Sequence, residues 1–259
     1  MSDDGELSGG GEVLTTFMKF GEGARPVQYT VVDGRALTEG CIILGSATKA
    51  AEVFEAVKAT PGVLHKTVQG VAILGHHFRW PDATLVFEVD PTLSDEQRVD
   101  DAMQHWRDAV GIKFRQRQTG DDHFVRFVPG GGCSSAVGMR GGPQELVLGP
   151  NCTKGNCIHE IGHALGLWHE QSRIDRDLHV RVHFDQIIPG REFNFFQRLN
   201  DGIDIGKYDP GSIMHYPLDA FAIGAKPTIE LLDQFGGQVG QRVALSDGDK
   251  DAIKQLYGL

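Results

Sequence analysis

Apolar and polar residues alternate along the chain in two patterns, one typical of strands and one typical of helices. Period-two alternation predicts strands over residues 27–32, 84–89, 112–116, 123–128 and 145–148. Helical spacing predicts helices over residues 47–59, 94–110 and 246–257, and a further helix is expected within 184–199. Strands joined by links of varied length, with few helices among them, indicate an α+β sheet domain.

Cap residues and glycines mark where several of these elements begin and end. Ser94 and Gln97 are predicted to form the capping box of the second helix, and Ser246 and Asp249 are predicted to cap the last one. Glycine-rich stretches on both sides of residues 133–140 predict loops around an edge segment of the sheet.

The same patterns separate the chain into segments. Residues 1–12 are acidic and rich in glycine, which predicts a disordered tail. Residues 13–70 contain one predicted strand, a turn and one helix, with too few apolar residues to fold alone, so we expect them to pack on the rest of the chain. The 259 residues suffice for one large domain or two small ones.

Composition and charge narrow the classes of partner. The chain is 40% hydrophobic and 23% charged, as in soluble globular proteins, with a formal net charge of -10. Nucleic acids and anionic membranes require basic surfaces, so neither is expected as a partner. The first residues have neither a basic start nor an apolar stretch, so we expect no signal peptide in this chain; it was removed or export uses another route, and a cytoplasmic location is the alternative.

The candidate chemistry lies in residues 157–170. His159 and His163 are four residues apart, so on a helix they share one face, as two ligands of one metal must. Glu160 is placed to act as a general base on a water molecule. Gly166 permits a sharp turn that delivers His169 as a third ligand. Three imidazoles leave one position of a tetrahedral zinc open, which is typical of a catalytic site.

A structural helix with incidental histidines is the alternative reading. A bare His-Glu-x-x-His occurs often by chance. The further residues Gly166, His169 and Glu170 stand at fixed offsets from it, and this longer pattern disfavours that alternative.

These residues resemble a known family. His159-Glu160-x-x-His163-x-x-Gly166-x-x-His169 is the metzincin zinc-binding motif, and Glu170 with the residues after it resembles the astacin family of proteases. Residues 212–216 resemble the astacin Met-turn, and residues 71–81 resemble the start of a mature astacin domain.

The resemblance implies a fold and several residue roles. It implies a two-lobed catalytic domain over residues 71–259, with a twisted, mostly parallel five-stranded sheet and an active-site helix, preceded by a propeptide over 13–70. Met214 would form the hydrophobic floor under one zinc ion. Tyr216 would ligate zinc at rest and then stabilise the oxyanion. After a cut near residues 70–72, the new amino terminus would interact through water with Glu170, which could instead cap a helix or pair with Arg173.

The four cysteines are interpreted by the same comparison. Cys133 and Cys152 match one of the two disulfides of the astacin catalytic domain, so we expect them to be bonded unless the protein stays in the cytosol. Cys41 and Cys157 are expected to stay outside any disulfide, with Cys157 packed in the core.

Cys41 also suggests a latency device. Astacin propeptides carry a Phe-x-Gly-Asp motif whose aspartate occupies the zinc, and the corresponding place here is Thr38-Glu39-Gly40-Cys41. A thiolate is an excellent zinc ligand, so Cys41 is predicted to hold the proenzyme inactive. The alternative is that Cys41 is a small buried hydrophobe in a strand.

The sequence therefore predicts a secreted, monomeric proenzyme of a zinc-dependent endopeptidase. Its partners would be protein or peptide substrates and an activating protease. Two other functions stay open: a catalytically silent binding module with the same fold, and a zinc hydrolase of non-peptide amide or ester bonds.

Overall fold

The computed structural model describes residues 11–20, 23–59, 76–199 and 202–259. Most of the predicted tail and the expected cut at 70–72 lie outside these residues. In the described part, no helix is both long and apolar enough to cross a bilayer.

The first described segment is a small sheet with one helix. Its elements are β1 (Leu14–Phe20), β2 (Gly23–Val32), β3 (Arg35–Thr38), β4 (Ile42–Ser46) and α1 (Ala47–Ala59). The strands β1 to β4 pair antiparallel in sequence order. The predicted strand at 27–32 and the predicted helix at 47–59 are both present.

The remaining elements follow the predicted α+β pattern. They are β5 (Thr84–Val89), α2 (Gln97–Val110), β6 (Lys113–Gln116), β7 (Phe124–Pro129), β8 (Cys133–Ser135), β9 (Pro143–Leu148), α3 (Lys154–Ala164), β10 (Val180–Val182), β11 (Ile229–Leu231) and α4 (Asp247–Tyr257).

One mixed sheet joins the two segments. Among the described residues it has nine strands, in the order β1-β2-β3-β4-β8-β9-β7-β5-β6. The last five strands of this order come from the segment after residue 83, and β7 and β5 pair parallel with their neighbours β9 and β6 and with each other. β8 runs antiparallel to β9 and pairs parallel with β4 through Ile42 and Ser135. The segment that contains β8 was expected at the edge of the sheet; this is wrong, because β4 covers it.

Two clusters of buried hydrophobic residues lie within the region after residue 76. The larger cluster lies between the sheet and helices α2 and α3, and includes Trp80 and Trp106. Their indole Nε1 atoms donate to the carbonyls of Ala164 at 2.8 Å and Ile158 at 3.1 Å, so both tryptophans are anchored to α3. The smaller cluster consists mostly of aromatic and β-branched residues that follow α3 in the chain.

Two local predictions at helix ends had different outcomes. Ser246 and Asp249 form the predicted capping box of α4, with each side chain accepting from the other residue's backbone N–H. The capping box predicted at Ser94 is wrong, because Asp95 adopts a left-handed φ of 56° and α2 begins only at Gln97.

The helix expected within 184–199 is also absent from the described residues of that stretch. Two short 3-10 turns, Phe184–Gln186 and Glu192–Phe195, take its place. Phe195 is fully buried in the smaller cluster and Phe196 beside it is 54% exposed, so the aromatic residues of this stretch anchor turns rather than one helical face.

Candidate active site

Helix α3 places the first two histidines. Its capping box pairs Thr153 with Asn156 and fixes the start of the helix. His159 and His163 lie one turn apart on it, and their rings are 4.6 Å apart between centroids. Gly166 has a φ of 110°, which a side chain would strain, and it turns the chain so that His169 meets the other two.

The three histidines and Cys41 form one compact donor group. The four ligand atoms lie within 4.8 Å of one another, and all four residues are buried. The Sγ of Cys41 lies 3.7, 3.4 and 3.3 Å from the Nε2 atoms of His159, His163 and His169, respectively. Tetrahedral zinc with ordinary Zn–S and Zn–N bond lengths separates a sulfur and a nitrogen ligand by about 3.6 Å. The donor set therefore fits one zinc ion.

The second nitrogen of each imidazole is held by an oxygen. The Nδ1 of His159 donates to the carbonyl of Ile213 at 2.8 Å, and the Nδ1 of His163 donates to the carbonyl of Leu167 at 2.7 Å. The Nδ1 of His169 donates to a carboxylate oxygen of Glu39 at 2.7 Å. With the proton on Nδ1, each Nε2 keeps its lone pair for a metal.

Burial keeps the helix histidines in their ligand form. It lowers the pKa of His159 and His163 well below the usual value, because a charged imidazolium would be desolvated there. Glu160 lies between them in sequence and is likewise fully buried. The two helix histidines are thus neutral, and a buried carboxyl group directly follows the first of them in the chain.

The Met-turn packs directly under the helix. A Cβ added to Gly162 would lie 2.8 Å from the Sδ of Met214, so the thioether touches the helix backbone face. The Tyr216 ring centroid lies 4.6 Å from that of His169, and the phenol is fully buried. Asp249 of α4 accepts from the backbone N–H of Ile213 at 2.9 Å and holds this turn in place.

Comparison with known proteins settles the family. A model of the peptidase family described as "Astacin" matches residues 73–258 of this chain. The chain belongs to the astacin family. Astacin metalloproteases use one catalytic zinc, which agrees with the donor group described above.

Several curated proteins are similar to the chain. It is 39% identical over 188 residues to zinc metalloproteinase nas-39 of Caenorhabditis elegans, covering 69% of this chain and 20% of that protein. It is 36% identical over 195 residues to nas-13 of the same organism, covering 73% of this chain and 43% of that protein. It is 38% identical over 194 residues to meprin A subunit beta of Homo sapiens, covering 72% of this chain and 27% of that protein. The chain thus spans less than half the length of these relatives.

Solved structures show the same fold. High choriolytic enzyme 1 of Oryzias latipes, named a hatching enzyme zinc-protease, superimposes with a TM-score of 0.64 at 32% identity, covering 70% of this chain and 92% of that one. Myroilysin superimposes with a TM-score of 0.52 at 20% identity, covering 73% and 98%, which supports the fold alone. The predicted astacin-like α+β fold is confirmed.

The cysteines of this astacin chain lie as the sequence led us to expect. Cys133 and Cys152 form a disulfide with an S–S distance of 2.06 Å. Cys41 and Cys157 are buried thiols outside it. Burial raises the pKa of the Cys157 thiol, which keeps it neutral inside the main core.

Glu170, which follows the third histidine, is partly buried among polar partners. Its Oε1 accepts from the backbone N–H of Asp209 at 2.8 Å and lies 3.6 Å from the Nε of Arg173. Burial raises the pKa of this carboxyl to about 8, although Arg173 opposes the shift. The pairing with Arg173 that the sequence left open is therefore present.

Glu39 is a further member of the site, which the sequence motifs did not indicate. This carboxylate is fully buried, accepts from His169 and from the hydroxyl of Ser172 at 3.1 Å, and forms an ion pair with Arg198. Burial alone would raise the pKa of Glu39, but Arg198 and His169 outweigh it and lower the pKa. Its signal in the sequence was a single acidic residue within the otherwise uncharged run 36–43.

Proposed function

We propose that the chain is the proenzyme of a zinc-dependent endopeptidase, in which a propeptide over residues 13–70 keeps a catalytic domain over 71–259 inactive. The observation that carries this proposal is the position of Cys41, whose Sγ lies 3.3 to 3.7 Å from all three histidine Nε2 atoms. Membership of a peptidase family supports the reaction class.

The chain's own residues supply the remaining chemistry. Bound zinc would polarise the scissile carbonyl and lower the pKa of water. His159, His163 and His169 are the proposed ligands. Glu160 accepts a proton from the attacking water and passes it to the leaving amine. Tyr216, whose ring lies beside that of His169, is the proposed hydrogen-bond donor to the developing oxyanion, and Met214 is the proposed floor under the ligands.

Latency follows from the place that Cys41 occupies. A tetrahedral site with three imidazoles has one position left, and the thiolate fills the position that the attacking water requires. Cys41 lies in the turn between β3 and β4. It is held in place by β8, because its carbonyl accepts from the backbone N–H of Ser135 at 2.9 Å. The propeptide therefore enters the site as an extension of the catalytic sheet.

The remaining assignments follow from this reading. The activating cut falls near residues 70–72, outside the described residues and between α1 and the catalytic domain. Protein or peptide chains are the substrates, and the enzyme acts as a monomer. The disulfide between Cys133 and Cys152 supports an extracellular location, because such bonds persist in oxidising compartments. In the mature enzyme, the new amino terminus interacts with Glu170 through water.

Peptide hydrolysis tests the proposal. The zinc-loaded intact chain is compared with the chain trimmed near residue 70 and with Cys41→Ala, and Cys157→Ala serves as the control for a buried thiol away from the ligands. We expect the intact chain and Cys157→Ala to be silent, and trimming or Cys41→Ala to release activity. Glu160→Gln in the released form should lower kcat by about 10² to 10⁴.

Two other results of this experiment would contradict parts of the proposal. If trimming activates while Cys41→Ala stays silent, the propeptide blocks the cleft through other contacts. If no form cleaves peptides, the endopeptidase assignment is wrong, and the binding module or the non-peptide hydrolase takes its place.

A further inference from the structure

The three histidines differ in the origin of their Nδ1 partners. His159 and His163 donate to backbone carbonyls of residues 213 and 167, which belong to the catalytic domain. His169 donates to the carboxylate of Glu39, which precedes Cys41 by two residues in the proposed propeptide. Removal of the propeptide would leave two of these hydrogen bonds in place and break the third.

Glu39 is built firmly into this position. It adopts a left-handed φ of 47°, which is unfavourable for a residue with a side chain, and it is fully buried. A buried carboxylate needs compensating partners, and Arg198, Ser172 and His169 supply them. Arg198 is itself held over the ring of Trp168, with 4.1 Å between its guanidinium carbon and the ring centroid.

We propose that Glu39 is a positioning residue for the zinc ligand His169, so that the propeptide strengthens zinc binding through the histidine as well as through Cys41. The inference rests on the proposed function, since it takes the three histidines as the zinc ligands.

The physical basis is the effect of a carboxylate on a ligand imidazole. A carboxylate that accepts from Nδ1–H orients the ring, fixes its tautomer and increases the electron density on Nε2. His169 also follows the turn at Gly166 and is not part of α3, so it lacks the helix backbone that orients the other two ligands. It is therefore the ligand whose orientation depends most on a side-chain partner.

Zinc affinity, measured by competition with a chromophoric chelator, tests this role without using activity. All variants are made in a Cys41→Ala chain, so that the thiolate contributes nothing. Glu39→Gln keeps the shape of the side chain and removes its charge. We expect it to weaken zinc binding by about 10- to 100-fold. The matched control, Glu52→Gln, changes an exposed propeptide glutamate that pairs with Lys49, and we expect it to leave the affinity unchanged.

The free energy of unfolding, measured with and without zinc, distinguishes a positioning role of Glu39 from a merely structural one. If Glu39 positions His169, Glu39→Gln should lower the free energy of unfolding more with zinc than without it. An equal loss in both forms, or an unchanged affinity, would overturn the proposal.

Trimming provides a second test should Glu39→Gln fail to fold. The Cys41→Ala chain is measured intact and again after the propeptide has been cut off and separated, and the trimmed form should bind zinc more weakly. Equal affinities would refute the role of Glu39. Because the readout is affinity, this result stands apart from whether Cys41→Ala releases peptidase activity.

Discussion

At the scale of single residues, the site depends on buried groups whose charge state is fixed by their surroundings. His215, in the Met-turn, shows this away from the ligands: its Nε2 accepts from the hydroxyl of Tyr208 at 2.7 Å and its Nδ1 donates to the carbonyl of Tyr216 at 2.6 Å. Burial lowers the pKa of His215 to about 4. The neutral imidazole thus ties the backbone of Tyr216 to the smaller hydrophobic cluster.

The pKa of His215 predicts a contribution to acid destabilisation. The unfolded chain takes up the His215 proton near pH 6.5 and the folded chain only near pH 4, so stability falls as the pH drops through this window, by about 3 kcal/mol. His215→Asn should lose this part of the pH dependence. Urea unfolding of the zinc-free forms from pH 4 to 7 measures it, since contributions of other histidines cancel in the difference. If the free energy of unfolding varied with pH in the same way for the original chain and for His215→Asn, the prediction would be contradicted.

Residues of the site could be predicted from sequence to the extent that their partners are near in the chain. The spacing of His159, His163 and His169 within eleven positions indicated a common metal. Glu39 escaped prediction because its partner His169 is 130 positions away. Only tertiary packing brings the two together, and a single glutamate before a glycine carries no periodic signal.

At the scale of elements, helix α3, which carries His159 and His163, is fixed by close backbone contacts on several sides. Trp80 and Trp106 donate to two of its carbonyls, and Met214 lies against Gly162. Near its start, a Cβ on Gly155 would lie 1.7 Å from the carbonyl oxygen of Arg242. A methyl group there cannot be accommodated unless the helix or the chain segment at 242 moves.

Gly155→Ala should therefore destabilise the protein, although alanine favours helices. We expect a loss of about 1–3 kcal/mol in the free energy of unfolding, as for overpacked cores. Gly142→Ala is the control, because a Cβ at Gly142 meets nothing within 4 Å. Chemical denaturation of both variants measures the difference. Equal stability of the two would show that α3 adapts to the extra methyl group.

Element predictions succeeded where local signals were strong. The helices α1 and α4 and the strand β5 follow the alternation and caps of their own residues. β8 has three residues, and β1 is a strand because it pairs with β2 along seven registered positions. Such elements are defined by their neighbours, which no local pattern reveals.

At the scale of the whole molecule, two segments share one sheet across a narrow junction. β4 and β8 are joined at one pair, Ile42 and Ser135, together with the hydrogen bond from Ser135 N–H to the carbonyl of Cys41. On the other side, β8 pairs with β9 over three positions. Loss of the first segment would make β8 a short edge strand.

Hydrogen exchange should detect this change. After trimming and separation of the propeptide, the amide of Ser135 should exchange about tenfold faster or more, because the Cys41 carbonyl that accepts its hydrogen bond is gone. The amides of β7, which lies between β5 and β9, should keep their rates and serve as the internal control. Unchanged exchange at Ser135 would show that the junction contributes no protection.

The same junction has a kinetic consequence. The first segment is held by sheet pairing, by the Glu39–Arg198 ion pair and by Cys41, none of which a cut near residue 70 would break. Cleavage would convert a tethered inhibitor into a bound one, whose release depends on dilution. Activation would then lag behind cutting of the peptide bond, because dissociation is a separate first-order step. The fraction of active enzyme would rise on dilution and fall again when the excised segment is added back.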